Sequence, residues 1–93
     1  MNSTDVDVII PNFNKGIYLD ECINSVLKQD FQSWKLYIID DNSSDSSHEI
    51  LSKFEKNHKI KIIKLKKNKG PSFCRNLGIR ISSSKYISFL DSD

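Results

Sequence analysis

The feature that most constrains the fold of this chain is a regular alternation between two hydrophobic periods. Apolar runs rich in β-branched residues occupy residues 6–11, 36–39, 60–65 and 85–90, a pattern typical of strands. Between these runs, apolar residues recur at helical spacing. The predicted order is βαβαβαβ, which favours an α/β fold with a parallel sheet, helices on its faces and right-handed crossovers.

Each of the three predicted helices has its own sequence signature. The first is expected over residues 16–29, where the apolar positions are Leu19, Cys22, Ile23, Val26 and Leu27. The second follows the candidate N-cap residues Ser43, Ser44 and Asp45, and its apolar face carries Ile50, Leu51 and Phe54. The third begins at Pro71 and presents Phe73, Cys74, Leu77 and Ile81.

Composition limits the domain count and the class of partner. With 93 residues, 38% hydrophobic and 28% charged, the chain is one soluble globular domain or part of one. The net charge of +2 is too small to indicate nucleic-acid binding, and the eight lysines between positions 53 and 69 are interpreted as a solvated helix face and edge strand rather than a phosphate or nucleic-acid patch. No apolar run approaches the roughly 18 residues of a membrane span. The polar N-terminus and two separated cysteines, Cys22 and Cys74, predict a reducing, cytoplasmic location with free, buried thiols.

Acidic and aromatic residues follow the ends of three predicted strands. In a doubly wound sheet, ligands bind beyond the carboxyl ends of the strands, where the strand order reverses. If the order is 3-2-1-4, this point lies between the first and fourth strands. The loops there hold residues 12–15 and 91–93, and Asp40 and Asp41 border the same crevice.

The pair Asp91 and Asp93 directly follows the fourth strand, which is expected to be buried, and is the candidate metal site. No GxGxxG follows the first strand and no GxxxxGK[ST] occurs, so a dinucleotide fingerprint or P-loop is not expected. Hard carboxylate oxygens suit Mg²⁺ or Mn²⁺, which bridge one or two carboxylates to a diphosphate. The alternative is a solvated loop, and the sequence does not decide between the two.

Three other residues have both a structural and a functional interpretation. Phe13 either packs under the first helix or offers a stacking face for a base. Asp41 either caps the second helix or accepts a hydrogen bond from the edge of a base, while Asp40 is expected to bind backbone amides. Arg75 pairs either with a carboxylate, the preferred interpretation, or with a phosphate.

Five ordered segments of the chain resemble the motifs of family 2-like glycosyltransferases of the GT-A fold. Residues 8–15 (VIIPNFNK) are similar to the opening VIIPxYN, residues 23–29 (INSVLKQ) to SIxSVLxQ, and residues 38–45 (IIDDNSSD) to VVDDGSTD. Residues 68–79 (NKGPSFCRNLGI) are similar to NxGxxxARNxGI, and residues 89–93 (FLDSD) to FLDxD. Asn42 departs from this pattern because it stands where the family usually has glycine.

The resemblance implies a Rossmann-like, three-layer GT-A sheet of order 3-2-1-4, with residues 1–93 as the nucleotide-sugar-binding half of one domain. It implies that Phe13 stacks on a uracil-type base, that Asp41 reads the base, that Asp91 contacts the nucleotide-sugar and that Asp93 binds the divalent metal. Pro11 matches a backbone position at the nucleotide. Arg75 is also predicted to bind the nucleotide-sugar.

The implied reaction is inverting transfer of a sugar to a glycan or other acceptor, with a UDP-sugar as the expected donor. A bound metal stabilises the charge that develops on the diphosphate. The family's general base follows the DxD motif, so no turnover is expected from these residues alone. A location at the membrane is an alternative for a longer protein.

Two competing interpretations remain at this stage. A phosphatase of the haloacid-dehalogenase kind also uses a DxD motif with Mg²⁺, although on its first strand. The second competing interpretation is a non-catalytic α/β module. For this chain by itself, an unpaired sheet edge predicts a homodimer.

Overall fold

The computed structural model describes residues 5–92, and Asp93 lies outside the described residues together with positions 1–4. Within this range the strands are β1 (Val6–Asn12), β2 (Trp34–Asp40), β3 (Ile60–Lys64) and β4 (Tyr86–Phe89). The helices are α1 (Gly16–Leu27), α2 (Ser47–Ser52) and α3 (Pro71–Ile81). No helix in residues 5–92 is long and apolar enough to cross a membrane.

The four strands form a parallel sheet in the order β3-β2-β1-β4. The predicted order is therefore confirmed. A right-handed crossover carries the chain from β1 to β2 and from β2 to β3 over one face, and the step back across β1 to β4 requires a helix on the other face. Accordingly α1 and α2 share one face, and α3 covers the opposite face over β1 and β2.

Side-chain alternation along the central strands builds two cores. Val8 and Ile10 of β1 face α1 and α2, where the buried partners include Leu19, Ile23, Leu36, Ile38 and Leu51. Ile9, between them in sequence, faces α3 and packs with Tyr37, Ile39 and Cys74. The continuous apolar run in β1 is explained by this two-sided burial, as expected for a strand inside a parallel sheet.

Gly78 allows the close approach of α3 to the sheet. A Cβ atom at this position would lie 2.5 Å from Cγ2 of Ile9, far inside van der Waals contact. Any larger residue at position 78 would push the helix away from β1, so this glycine sets the distance between the two layers.

Several element boundaries differ from the sequence predictions. Helix α1 ends at Leu27 rather than Gln29, and β2 begins at Trp34, two residues early. The N-cap of α2 is Ser46, not one of the three predicted residues, although the Asp45 carboxylate does accept a hydrogen bond from the Ser47 amide at 3.0 Å. Phe54 lies beyond the end of α2 but packs against the same core.

The expectation that the fourth strand is buried was wrong. All four residues of β4 are exposed, including Tyr86 at 60% and Phe89 at 44%. The physical reason is that β4 pairs only with β1 and α3 lies over β1 and β2, so neither its outer edge nor its faces are covered in the described part of the chain.

Candidate nucleotide-sugar site

A cavity of about 300 Å³ opens at the carboxyl edge of the sheet. Parallel strands bring their carboxyl ends to one edge, so the segments that follow β1, β2, β3 and β4 all reach this rim. Twelve residues line the cavity, namely Pro11, Asn12, Phe13, Lys15, Asp41, Asn68, Gly70, Pro71, Cys74, Arg75, Asp91 and Ser92.

All the predicted donor-site residues that the structure describes line this one cavity. Pro11 and Phe13 come from the end of β1, Asp41 from the end of β2, Arg75 from α3 and Asp91 from the end of β4. Asp93, the predicted metal ligand, lies outside the described residues.

Phe13 is 45% exposed although it is a large aromatic residue. It does not serve as packing under α1, because the core cluster that contains the buried side chains Leu19, Ile23 and Val26 of α1 does not include Phe13. An exposed ring at the rim of a cavity is available for stacking on a planar ligand.

Asp41 does not cap α2. It is 3% exposed, and its two carboxylate oxygens accept hydrogen bonds from the backbone amides of Lys69 at 2.7 Å and Gly70 at 2.9 Å. Its carbonyl accepts a third bond from the side-chain amide of Asn68 at 3.2 Å. Asp41 therefore ties the loop between β3 and α3 to the end of β2 and forms one wall of the cavity.

A thiol faces the same carboxylate. Burial, followed by the charge of Asp41 and a hydrogen bond to it, raises the pKa of Cys74 to about 11. The thiol is therefore protonated at neutral pH and donates to Asp41. Both Cys74, which is buried, and the half-buried Cys22 are free thiols, as predicted.

Asp40 lies below the cavity in a buried polar network. One of its oxygens accepts a bond from the Ser43 amide at 3.0 Å, and the other accepts bonds from the Ser43 hydroxyl at 2.7 Å and the Asn12 side-chain amide at 2.9 Å. The prediction that Asp40 binds backbone amides holds for Ser43. Asn12 also donates to the Ser47 hydroxyl at 3.0 Å, so this network joins β1, β2 and α2.

Arg75 is half-buried at the cavity and forms no hydrogen bond or ion pair with a carboxylate among residues 5–92. The preferred interpretation, pairing with a carboxylate, is therefore not supported within the described residues. A guanidinium group in this position supplies positive charge to the cavity, next to the first turn of α3, whose N-terminus adds to it.

Asp91 is exposed at the cavity, and no described group bonds to its carboxylate. Its backbone is fixed, since the carbonyl accepts a bond from the Cys22 thiol at 3.4 Å. No cluster of three metal-binding side chains occurs in the described part of the chain. One carboxylate at a cavity nevertheless fits Mg²⁺ or Mn²⁺, because these ions need only one or two carboxylates when a diphosphate supplies further oxygens.

Sequence reasoning missed part of the cavity lining. Asn68 and Gly70 were noted only within the segment 68–79 that resembles a family motif, and Cys74 was predicted only as an apolar residue of the third helix, yet all three line the cavity. The signal that could have found them is the parallel sheet itself, because the loop after β3 must emerge at the same edge as the others.

The profile of glycosyl transferase family 2 matches residues 7–93. The chain belongs to this family. This assignment contradicts the haloacid-dehalogenase alternative and confirms the resemblance, and with it the GT-A fold that the strand order shows.

The relatives described below are named glycosyltransferases and are much longer than this chain. An uncharacterized glycosyltransferase of Rickettsia conorii is 44% identical over the whole chain, which spans 15% of that protein. The putative teichuronic acid biosynthesis glycosyltransferase TuaG of Bacillus subtilis is 36% identical over 95% of the chain, which spans 35% of TuaG.

A solved structure shows the same architecture. The structure of S. aureus TarS 1–349 in complex with UDP-GlcNAc superposes with a TM-score of 0.89 at 31% identity, covering 97% of this chain and 27% of TarS 1–349. The mannosyltransferase PcManGT of Pyrobaculum calidifontis, in complex with GDP-Man and Mn²⁺, superposes with a TM-score of 0.87. At 18% identity it supports the fold alone.

Proposed function

We propose that the chain binds the donor of a glycosyltransferase, a nucleoside-diphosphate sugar with UDP as the preferred nucleotide, in the cavity at the carboxyl edge of the sheet. The observation that carries this proposal is the convergence of Phe13, Asp41, Arg75 and Asp91 from four separate segments on one cavity of about 300 Å³. Support for UDP comes from TarS, a 31% identical protein whose structure is known with UDP and with UDP-GlcNAc.

Each residue has a role that follows from its position. Phe13 stacks on the base through its exposed ring, and the nearby backbone of Pro11 borders the nucleotide. Asp41 accepts from an N–H on the edge of the base, through a carboxylate whose orientation the amides of Lys69 and Gly70 already fix. Because one amide bonds each carboxylate oxygen, the lone pairs that remain for the base have fixed directions, which makes the geometry selective.

Arg75 and the DxD segment, residues 91–93, compensate the negative charge of the diphosphate. Arg75 neutralises a phosphate, and Asp91 and Asp93 hold Mn²⁺ or Mg²⁺ against the diphosphate. The ion supplies Lewis-acid stabilisation of the leaving group when bound. The chain's own residues bind and orient the donor in front of it, and they hold the diphosphate in a cavity walled by Pro71 and Cys74.

Inverting transfer to a glycan or other acceptor is the reaction that we infer for the whole protein. That reaction also requires a general base, which in the family follows the DxD motif. We expect the 93 residues to bind donor without turnover, and an assay for released UDP checks this directly. Measurable transfer by this chain alone would contradict it.

The test of donor binding is a titration with UDP followed by amide NMR, with and without Mg²⁺. Shifts are expected at Phe13, Asp41 and Arg75 and should require the metal, and Mn²⁺ in place of Mg²⁺ should broaden the resonances around Asp91. Phe13→Ala should weaken UDP by about 5- to 150-fold, corresponding to about 1–3 kcal/mol of stacking. Ile17→Ala, which removes a side chain 86% exposed and outside the cavity, is the matched control. Binding that ignores the metal, or that maps to residues 53–69, would overturn the site.

We also propose that two copies of the chain pair through β4. The outer edge of β4 is unpaired in the described part of the chain, and Ile87 and Phe89 are exposed on this strand. The opposite edge strand, β3, instead exposes Lys61 and Lys64. Lysines on an edge oppose strand pairing, and their absence from β4 favours it. Sedimentation analysis should show a dimer that Ile87→Lys dissociates, whereas Ile79→Lys, at an exposed position of α3, should leave the dimer intact. A monomer at high concentration would rule this pairing out.

For the location we propose the cytoplasm, with attachment to the membrane as the alternative for a longer protein. The free thiols Cys22 and Cys74 are consistent with a reducing compartment. Cell fractionation followed by immunodetection distinguishes the two, and a periplasmic or secreted pool would contradict both.

A further inference from the structure

Phe13 lies in a loop that is braced on both sides by the loop between β2 and α2. We infer that Asn14 is a positioning residue for Phe13, so that its side chain presets the aromatic ring for the base of the donor. This inference rests on the proposed donor binding and adds to it the residue that governs affinity for the base as distinct from the phosphates.

Asn14 both donates and accepts hydrogen bonds with the loop between β2 and α2. Its backbone N–H donates to the hydroxyl of Ser43 at 2.9 Å. Its side-chain oxygen accepts from the amides of Ser44 at 2.8 Å and Asp45 at 3.3 Å. One asparagine thus connects the loop that carries Phe13 to three consecutive residues of the neighbouring loop.

Bonds on either side of this asparagine complete the brace. Before Phe13, the buried Asn12 donates to Asp40 at 2.9 Å. After it, the amide of Gly16 donates to the carboxylate of Asp45 at 2.9 Å. The backbone on both sides of Phe13 is therefore fixed while the ring itself remains 45% exposed.

Preorganisation of this kind acts on affinity. Ordering the backbone of one residue costs about 1–2 kcal/mol, and a loop that is already ordered does not incur that cost when the ligand binds. The bond partners of Asn14 do not line the cavity, whereas the proposed phosphate-binding and metal-binding residues Arg75 and Asp91 do. The effect should therefore appear in binding of the base and not of the diphosphate.

The backbone at position 14 restricts which residues suit it. Asn14 has φ +52°, a left-handed conformation that glycine, asparagine and aspartate adopt readily. Glycine there keeps the backbone but removes the acceptor for Ser44 and Asp45. Aspartate keeps both the conformation and the acceptor, so Asn14→Gly and Asn14→Asp separate the side chain's bonds from the backbone shape.

Asn42 provides a matched control. It has φ +61°, and its side chain makes no hydrogen bond within residues 5–92. Asn42→Gly is therefore the same chemical change in the same backbone conformation, in the neighbouring loop, without loss of a brace.

The experiment measures dissociation constants of the 93-residue chain for UDP and for pyrophosphate, each with Mg²⁺, by NMR titration. Asn14→Gly should weaken UDP by about 5- to 30-fold, the cost of ordering about one residue, and leave pyrophosphate within about twofold. Asn14→Asp and Asn42→Gly should stay within about twofold of the original chain for both ligands. Circular dichroism melting of each variant checks that the fold is retained.

Each other outcome refutes a defined statement. If the unmodified chain binds pyrophosphate but not UDP, the proposed donor binding itself fails. If UDP binds and Asn14→Gly leaves its affinity unchanged, or weakens pyrophosphate equally, Asn14 does not position Phe13. Equal weakening by Asn42→Gly, or failure of Asn14→Asp to preserve affinity, also overturns the inference.

Discussion

The contact between Gly78 and Ile9 yields a prediction whose sign depends on a second residue. A methyl group at position 78 would lie 2.5 Å from Cγ2 of Ile9 and 3.2 Å from its Cγ1 and Cδ1. Ile9 is fully buried, and Cγ2 is a branch methyl on a stiff side chain, so it has no free volume to move into. Gly78→Ala must therefore displace α3 or strain Ile9.

The expected magnitude follows from two opposing contributions. Overpacking of a buried site costs about 1–3 kcal/mol, and the tight, immobile contact places this case near about 3. Alanine in a helix interior is favoured over glycine by about 1 kcal/mol. The net loss in the free energy of unfolding should be about 2 kcal/mol, or about 8–16 °C in Tm for a domain of this size.

The assay is urea denaturation followed by far-UV circular dichroism, carried out as a double-mutant cycle. Ile9→Ala alone should cost about 2–5 kcal/mol because it leaves a cavity. In that background Gly78→Ala should no longer destabilise, and it should recover about 1 kcal/mol from helix propensity. Asn76→Ala, on the exposed face of α3, controls for propensity alone. If Gly78→Ala costs the same with and without Ile9, the close contact does not set the position of α3.

Three further predictions concern the buried carboxylates of Asp7 and Asp40 and the positive-φ glycine Gly70. Burial raises the pKa of Asp7, but hydrogen bonds from Ser82, Ser84 and backbone amides outweigh this effect and lower the pKa below 3.8, so the carboxylate stabilises the fold above about pH 4 and this stabilisation is lost as the pH falls through the folded-state pKa. Asp7→Asn should therefore destabilise the protein at pH 7 and make its stability depend less on pH in denaturation measured from pH 2 to 7. Asp40→Asn should cost about 1–3 kcal/mol because its amide cannot accept every bond that the carboxylate accepts, and an unchanged urea midpoint would contradict this. Gly70→Ala should cost about 1–3 kcal/mol in stability from its φ of 92° and ψ of 160°, a region that essentially only glycine adopts, since no atom lies within 4 Å of the added Cβ. It should also weaken UDP, because the Gly70 amide holds Asp41.

The burial difference between β1 and β4 shows where sequence patterns fail. Both are rich in apolar residues, with one polar interruption each at Asp7 and Ser88, yet β1 is enclosed on both faces and β4 is exposed on all of its residues. Local hydrophobicity identifies a strand but not its neighbours, because coverage depends on which helices cross over which strands. The same limit explains why the wall of the cavity contributed by Asn68, Gly70 and Cys74 was not foreseen.

The chain's own residues determined the order of strands and helices along the sequence, and the family resemblance implied the sheet order β3-β2-β1-β4, which the structure shows. Right-handed crossovers alone are compatible with other strand orders, but any parallel sheet gives the acidic loops a shared carboxyl edge. Only the tertiary structure decided how these loops hold one another. Asp41 turns its carboxylate to the amides of Lys69 and Gly70, and Asn14 bridges to Ser44 and Asp45, through hydrogen bonds between residues about 30 positions apart. Such bonds depend on distance and direction in space, and neither period nor propensity along a sequence carries that information.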